Sequence, residues 1–473
     1  MKKILFAASE AVPFISSGGL GDVIGSLPQK ISASRDFEVS VFLPLYSQIS
    51  EEFRKNFRKV CDFTVNLAWR KQYCGIFLYT HNGIKYYFAD NEFYFKRNSV
   101  YGNYDDAERY AFFCMACLEM FRNTDDYPDI IHANDWQSAL IAVYLKTLYG
   151  NIPRYKNIKS VFTIHNLEYQ GIYDMGILWD VFSLPNECRG LVEYEGNINL
   201  LKGAIEACDI LSTVSDRYSK EISTEYFGCG LSEILRRNSD KCRGIINGID
   251  TERYSPENNE SVFSFNAQDL RGKSECKLHL QKYFGLPESE STPVIAIVSR
   301  LAEHKGFDLI KCVIDEILMQ NIQLVTLGTG EKSLEDFFIA LGRGNADKVA
   351  VRTEFNKELS LKIYSGADML LMPSRSEPCG LSQMIAARYG TIPIVHRVGG
   401  LYDSITPFDS TTSEGNGLAF DNYNAHDMLY TIKNAVELYK QKSIWERIMF
   451  NAMTTDFSWE SSAKKYCEMY NLL

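Results

Sequence analysis

VIAIVSRLAEHKGFDLIKCVIDEILMQNIQLVTLG, residues 294–328, reads as strand, loop, helix, strand. VIAIVS at 294–299 is a short, β-branched apolar run ending on polar residues, the pattern of a strand buried on both faces. Apolar residues then recur at helical spacing over 305–319, and QLVTLG at 323–328 returns to a strand. A parallel partner for the first strand needs a crossover of this kind, so the segment predicts one βαβ unit. The alternation continues through KVAVRT at 348–353, DMLLMP at 368–373 and TIPIVH at 391–396, with helical patterns at 333–342, 357–366 and 380–389.

A first series of the same type precedes it. Strand candidates are ILFAAS at 4–9, VSVFLPL at 39–45, DIIHAN at 129–134, SVFTIH at 160–165 and ILSTVS at 210–215, with amphipathic segments at 107–122 and 138–149. Each series predicts a parallel sheet covered on both faces, so the fold class is α/β with two doubly wound, Rossmann-like lobes. The polar stretch 251–293, with ERYSPENNES and PESEST, marks the junction, and GIINGID at 244–250 is placed with the second lobe. The lobes are therefore expected at 1–243 and from 244 onward. Sheets of this kind bind ligands at the carboxyl ends of their strands, which makes a cleft between the lobes the expected site.

Composition narrows the function. A chain of 473 residues exceeds a single compact core. With 45% hydrophobic and 23% charged residues and a mean hydropathy of −0.19, it is neither disordered, fibrous nor a polytopic membrane protein. Sixty acidic against fifty basic residues give a net charge of −10, which argues against nucleic acid or an anionic membrane as partner. The twelve cysteines are scattered and read as reduced thiols; Cys114 and Cys117 form one CxxC, but within a helical apolar run where core packing is the expectation. The opening MKKILFAASEAVPF is interrupted by Glu10 and Pro13, too early for a signal peptide, and no apolar run approaches the ~18 residues of a membrane span. The expected compartment is the cytoplasm, or a plastid stroma after loss of a transit peptide.

Four loops carry residues capable of chemistry. FISSGGLGDVIGSLP at 14–28 follows the first strand; Gly18, Gly19 and Gly21 permit positive φ and close backbone approach, and the helix that follows presents free N–H groups to a phosphate. A tight turn without ligand has the same requirements, and the dinucleotide fingerprint fails because Ile24 stands where a third small residue is needed. In SRLAEHKGFDL at 299–309, Arg300 and Lys305 can point from a strand's carboxyl end at a diphosphate, or be solvated surface charges. PSRSEPCGLSQ at 373–383 places Glu377 before a helix whose amides begin near Gly380, where a carboxylate can hold a sugar hydroxyl. TIHNLEYQG at 163–171 ends a strand on His165, either a structural histidine or one facing the cleft. A P-loop is excluded: in LGTGEKS at 327–333, Glu331 separates Gly330 from Lys332.

Taken in order, these stretches resemble bacterial glycogen synthases and plant starch synthases, retaining glucosyltransferases with two Rossmann-like lobes. The resemblance runs from SE-x-x-PF and GGLGDVIGSLP through YFKRNSVYGNYDDAERYAFF at 94–113, HANDWQ at 132–137, TIHNLEYQG, NLLKGAIEACDILSTVS at 199–215 and GIINGID. It continues through SRLAEHKG, EPCGLSQ, RVGGLYDS at 397–404 and NAMTTDFSWESSAKKY at 451–466. It implies transfer of glucose from ADP-glucose to the non-reducing end of an α-1,4-glucan with retention, without metal or other cofactor. By the same resemblance Arg300 and Lys305 neutralise the diphosphate and Glu377 engages the donor glucose. Asp135 and His165 line the sugar end; Gly380, Leu381 and Ser382 serve phosphate and ribose; and Ser16, Gly18, Gly19 and Asp22 belong to the donor loop. The segment 456–473 should then cross back to the first lobe, leaving 244–455 as the second.

Two departures stand out. The family has Lys-x-Gly-Gly-Leu where this chain reads Ser16-Ser17-Gly18-Gly19-Leu20, and Val398 stands where Thr usually precedes the paired glycines. Losing one preorganised charge, worth on the order of 10²–10³ in rate, points to an active synthase of lowered or altered efficiency. A non-catalytic glucan-binding or regulatory paralogue is the alternative. A phosphorylase would need a lysine-bound pyridoxal phosphate and a much longer chain.

Overall fold

The computed structural model describes residues 1–258 and 263–473. The chain divides into one unit of Met1–Asn247 with Trp459–Leu473, and a second of Gly248–Ser458.

In the first unit the strands are β1 (Lys2–Ala7), β2 (Phe37–Pro44), β3 (Arg58–Leu67), β4 (Arg70–His81), β5 (Ile84–Asp90), β6 (Ile130–Asn134), β7 (Lys159–Ile164), β8 (Ile172–Asp174), β9 (Glu193–Tyr194), β10 (Asn197–Asn199), β11 (Ile210–Thr213) and β12 (Cys242–Gly244). Nine of them form one sheet in the order β12-β11-β7-β6-β1-β2-β5-β4-β3, and β8-β10-β9 form a small sheet of their own. From β12 to β5 every neighbouring pair is parallel. Numbered along the chain, the parallel part of that order climbs from β1 through β2 to β5 on one side and through β6, β7 and β11 to β12 on the other, so the strand order reverses between β1 and β6, the switch point of a doubly wound sheet.

The sheet is not wholly parallel, contrary to the sequence expectation: β4 runs antiparallel to both β3 and β5. These strands carry Arg, Lys, Asp and Asn among their apolar residues, and β3 alternates exposed and buried positions toward its end, as an edge strand does. Continuous apolar runs do not find such strands. Asn82-Gly83, both at positive φ between His81 and Ile84, is a two-residue hairpin turn that the sequence does announce.

The helix Asp106–Thr124 is buried on nearly every side and contains Cys114 and Cys117 as fully buried free thiols, in keeping with core packing. The terminal helix Trp459–Tyr470 packs on the helix Gly19–Ala33; its Tyr470 hydroxyl meets His132 Nδ1 at 2.6 Å, and Ser462 donates to the Ile246 carbonyl at 2.6 Å.

The second unit holds β13 (Val294–Val298), β14 (Gln323–Leu327), β15 (Val349–Arg352), β16 (Met369–Met372), β17 (Ile392–His396) and β18 (Leu418–Phe420), all parallel, in the order β15-β14-β13-β16-β17-β18. β14, β16 and β17 are buried throughout, which is why their sequences are unbroken apolar runs. The reversal lies between β13 and β16. The polar stretch 251–293 is more than a junction: it contains the helix Arg271–Phe284, whose buried Cys276 and Leu280 lie against Gly366 at the end of the helix Lys357–Gly366. Residues 259–261, the end of ERYSPENNES, lie outside the described residues. No helix among the described residues is long and apolar enough to cross a membrane.

Candidate active site

In the second unit the loops after β13 and β16 flank the switch point, and they bring two residues 72 positions apart into contact. Lys305 Nζ lies 2.9 Å from Glu377 Oε1 and 2.7 Å from Oε2. Ser374 donates to the same carboxylate at 2.9 Å, and His396 Nδ1 meets the Ser374 carbonyl at 2.7 Å. Glu377 is buried, so this pairing is what makes its burial tolerable: an unpartnered carboxylate there would carry the full desolvation cost.

The loops can approach because glycine sits where they cross. Gly306, at φ +78, has the Pro373 carbonyl 1.9 Å from where a Cβ would be, and Gly399 has the Glu377 carbonyl at 2.0 Å. Gly400 N donates to the Glu377 carbonyl at 3.0 Å, tying the chain that carries the carboxylate to the start of the next helix. Arg300, in the same loop after β13 as Lys305, is exposed and makes no ion pair among the described residues. Beyond Glu377, Gly380 adopts φ +71 and Leu381 caps the helix Ser382–Arg388, which is shorter than the 380–389 expected. Gln383 Nε2 holds the Cys379 and Gly380 carbonyls at 3.1 and 2.9 Å.

In the first unit the loops after β1, β6 and β7 carry the corresponding residues. Glu10, just past β1, is 3% exposed; its Oε2 accepts the backbone N–H groups of Ser17 and of Gly18, the latter at 3.2 Å, while Oε1 accepts the Tyr101 hydroxyl. The glycine turn is thus held by a buried carboxylate. None of its three glycines uses positive φ, correcting the sequence expectation: Gly18 has φ −160, and neither Gly19 nor Gly21 is among the positive-φ residues. A Cβ on Gly21 would lie 2.7 Å from Ser16 Oγ, whereas one on Gly18 or Gly19 would meet nothing within 4 Å. The turn therefore has an open face. Ser16 is exposed, with its hydroxyl 3.3 Å from the Gly18 carbonyl, and Asp22 lies in the first turn of the helix Gly19–Ala33.

Asp135 follows β6 at φ +57, a left-handed conformation uncommon outside glycine, and accepts the His165 N–H at 2.8 Å. Burial pushes its pKa up to about 7, with the nearby Glu10 charge adding to the rise and the N–H groups of His165 and Asn166 opposing it. His165 Nε2 lies 3.0 Å from Asn134 Oδ1. Asn134 Nδ2 already donates to the Ala7 and His132 carbonyls, so its oxygen is the acceptor, Nε2 carries the proton, and Nδ1 is left as an acceptor. Burial lowers the His165 pKa to about 3, so the ring is neutral at ordinary pH.

Sequence reasoning missed Glu10 as the anchor of the turn, reading it only as a break in an apolar run; its place three residues past β1, seven before Ser17, was the available signal. It also missed Ser374 and His396 behind Glu377. Val398 occupies the N-cap of the helix Gly399–Ser404 and is buried, so a hydroxyl there would meet the helix start before any ligand.

Comparison with known proteins follows the same lines. Residues 3–237 match the starch synthase catalytic domain, and residues 281–448 match the glycosyl transferases of group 1. The chain is 48% identical to a glycogen synthase of Desulforamulus reducens, over 100% of this chain and 98% of that one. It is 45% identical to a glycogen synthase of Anoxybacillus flavithermus over the same shares. The catalytic domain of starch synthase IV from Arabidopsis thaliana, in a structure bound to ADP and acarbose, has a TM-score of 0.91 at 32% identity, covering 100% of this chain and 99% of that one. A sucrose-phosphate synthase from Thermosynechococcus elongatus shares the fold at a TM-score of 0.63 and 16% identity, with 100% and 99% covered. With both family descriptions matched in order and nearly half of its residues shared with full-length relatives, the chain belongs to the glycogen and starch synthase family of glucosyltransferases.

Proposed function

We propose that this glucosyltransferase takes its glucose from ADP-glucose and adds it to the non-reducing end of an α-1,4-glucan with retention of the anomeric configuration. The observation that carries the reading is the Lys305–Glu377 pair at 2.7 Å on the switch-point loops of the second unit, with Arg300, in the same loop as the lysine, outside any ion pair of the described residues. A bound diphosphate would draw the Lys305 ammonium and the Arg300 guanidinium, stabilising charge as the sugar leaves. Glu377, released from its lysine, would accept a hydroxyl of the glucose, and Gly380, Leu381 and Ser382 would serve the phosphate and ribose. These groups supply the neutralisation that a divalent ion supplies elsewhere, so the reading needs no metal. Support for ADP as the nucleotide comes from the starch synthase IV relative, whose structure holds ADP and acarbose.

His165 and Asp135 are assigned to the sugar. A neutral imidazole with Nδ1 free acts as a hydrogen-bond acceptor, and Asp135 with a pKa raised to about 7 can hold or release a proton near neutrality. The open face of Gly18 and Gly19, with Ser16 and Asp22 beside it, is assigned to the departing phosphate. Ser16 brings no charge to that task, so the enzyme works below the rate a lysine would allow.

Glucose incorporation into glycogen, measured with ADP-glucose and UDP-glucose in competition, tests the reading. ADP-glucose is the preferred donor; a preference for UDP-glucose, or no incorporation, overturns it. Ser16→Lys raises kcat/KM, and an unchanged value would show that the missing charge is irrelevant.

A further inference from the structure

Glu377 takes its hydrogen bonds from two sources that differ in how firmly each is held. Lys305 reaches both oxygens, Oε1 at 2.9 Å and Oε2 at 2.7 Å, whereas the Ser374 hydroxyl reaches Oε2 alone, at 2.9 Å. The lysine is a long, flexible side chain on the short turn Glu303–Lys305, no residue of which is buried. Ser374 is 1% exposed and its backbone is fixed at two points. Its carbonyl meets His396 Nδ1 at 2.7 Å, and the next residue, Arg375, donates its N–H to the His304 carbonyl at 2.8 Å. His396 is itself buried, stacked on Phe420 with ring centroids 5.3 Å apart and set edge-on to Tyr423 at 5.5 Å.

A hydroxyl has one proton and an ionised carboxylate only accepts, so Ser374 is the donor. Among the described residues that hydroxyl has no second partner, and the side chain therefore has a single task. A diphosphate that draws Lys305 away leaves Oε1 with no donor and Oε2 with one. The last bond of a glutamate side chain turns freely when nothing holds its oxygens. One hydrogen bond from a fixed donor stops that rotation, and it presents Oε1 as the oxygen free to accept a sugar hydroxyl. It also keeps the buried carboxylate from losing every partner at the moment the cation leaves.

We infer that Ser374 is a positioning residue for the glucosyl transfer: its hydroxyl holds Glu377 Oε2 once the lysine has moved to the diphosphate, so that Oε1 meets the donor glucose. His396 acts one step further back, by seating the Ser374 backbone. The inference rests on the roles proposed above for Glu377 and Lys305.

Calorimetric binding of ADP and of ADP-glucose without a glucan, together with initial rates on glycogen, tests it; the uridine pair replaces the adenosine pair if UDP-glucose is the donor used. Ser374→Ala weakens binding of ADP-glucose about tenfold and lowers its kcat/KM about ten- to a hundredfold, the worth of one hydrogen bond to a charged group. ADP, which carries the diphosphate but no glucose, binds as it does to the wild type, and KM for glycogen is unchanged. Ser374→Thr keeps the hydroxyl and most of the rate; if its added methyl group prevents folding, the alanine variant decides alone. An alanine variant within twofold of the wild type in both ADP-glucose binding and kcat/KM overturns the inference. So does a parallel loss of ADP affinity, which marks a disturbed loop and not a misplaced carboxylate, or a folded threonine variant as slow as alanine. If the wild-type protein transfers no glucose, the proposed reaction fails, and the affinities for ADP-glucose and ADP still decide whether Ser374 places Glu377.

Discussion

Replacing Asp135 by asparagine separates its electrostatic cost from its geometry. The carboxyl accepts the His165 N–H at 2.8 Å, a bond an amide oxygen can make equally well, so the loop after β6 keeps its shape. The charge is another matter. Burial raises the Asp135 pKa from 3.8 to about 7, which corresponds to on the order of 4 kcal/mol favouring the neutral acid. Because the side chain is only half-buried, solvent screening reduces the expectation to about 2 kcal/mol. With the folded pKa above the unfolded value, the folded state binds more protons between about pH 4 and 7, and stability falls as pH rises through that window. An uncharged amide at this position carries no such cost. Asp135→Asn is therefore more stable than wild type at pH 8.5, by about 3 °C in Tm, and by clearly less at pH 5, part-way through the window. Thermal unfolding at the two pH values decides the matter. A difference that is the same at both would refute the reasoning, since it would have to arise from packing and not from charge. Glucose transfer by the same variant falls across the pH range if Asp135 handles a proton of the sugar.

Three further outcomes follow from contacts around the two switch points. Lys305→Gln removes the cation paired with Glu377 at 2.7 Å and lowers kcat by on the order of 10²–10³ in the glycogen assay, with a smaller effect on KM for the glucan. Gly306→Ala drives a methyl group to 1.9 Å from the Pro373 carbonyl at φ +78; it displaces the loop carrying Lys305 and costs about 3 kcal/mol or more in urea unfolding. Glu10→Gln leaves one of the three donors from Ser17, Gly18 and Tyr101 poorly satisfied, costs about 1–3 kcal/mol, and loosens the glycine turn, seen as faster amide exchange at Ser17 and Gly18.

The doubly wound lobes were legible in the residues themselves. A strand covered on both faces must be apolar at every position, and a crossover helix must carry an apolar stripe, so VIAIVS, QLVTLG, DMLLMP and TIPIVH announce parallel strands with nothing else in view. The types of the site residues were legible for the same reason: Arg300, Lys305, Glu377 and His165 are polar residues set immediately after such runs, where ligands of open sheets bind. Edge strands such as β3 were not, because one face in water permits Lys, Arg and Asn among the apolar residues.

Which of those residues meet was decided by tertiary structure alone. Lys305 and Glu377 touch because β13 and β16 are neighbours across the reversal of strand order, and Glu10 holds Ser17 and Gly18 because the chain turns back on itself after β1. The left-handed backbone of Asp135 and the proton on His165 Nε2 have the same origin. Periodicity is a local property that any short window of sequence displays, whereas contact between distant side chains depends on strand order and loop crossing, which no window contains.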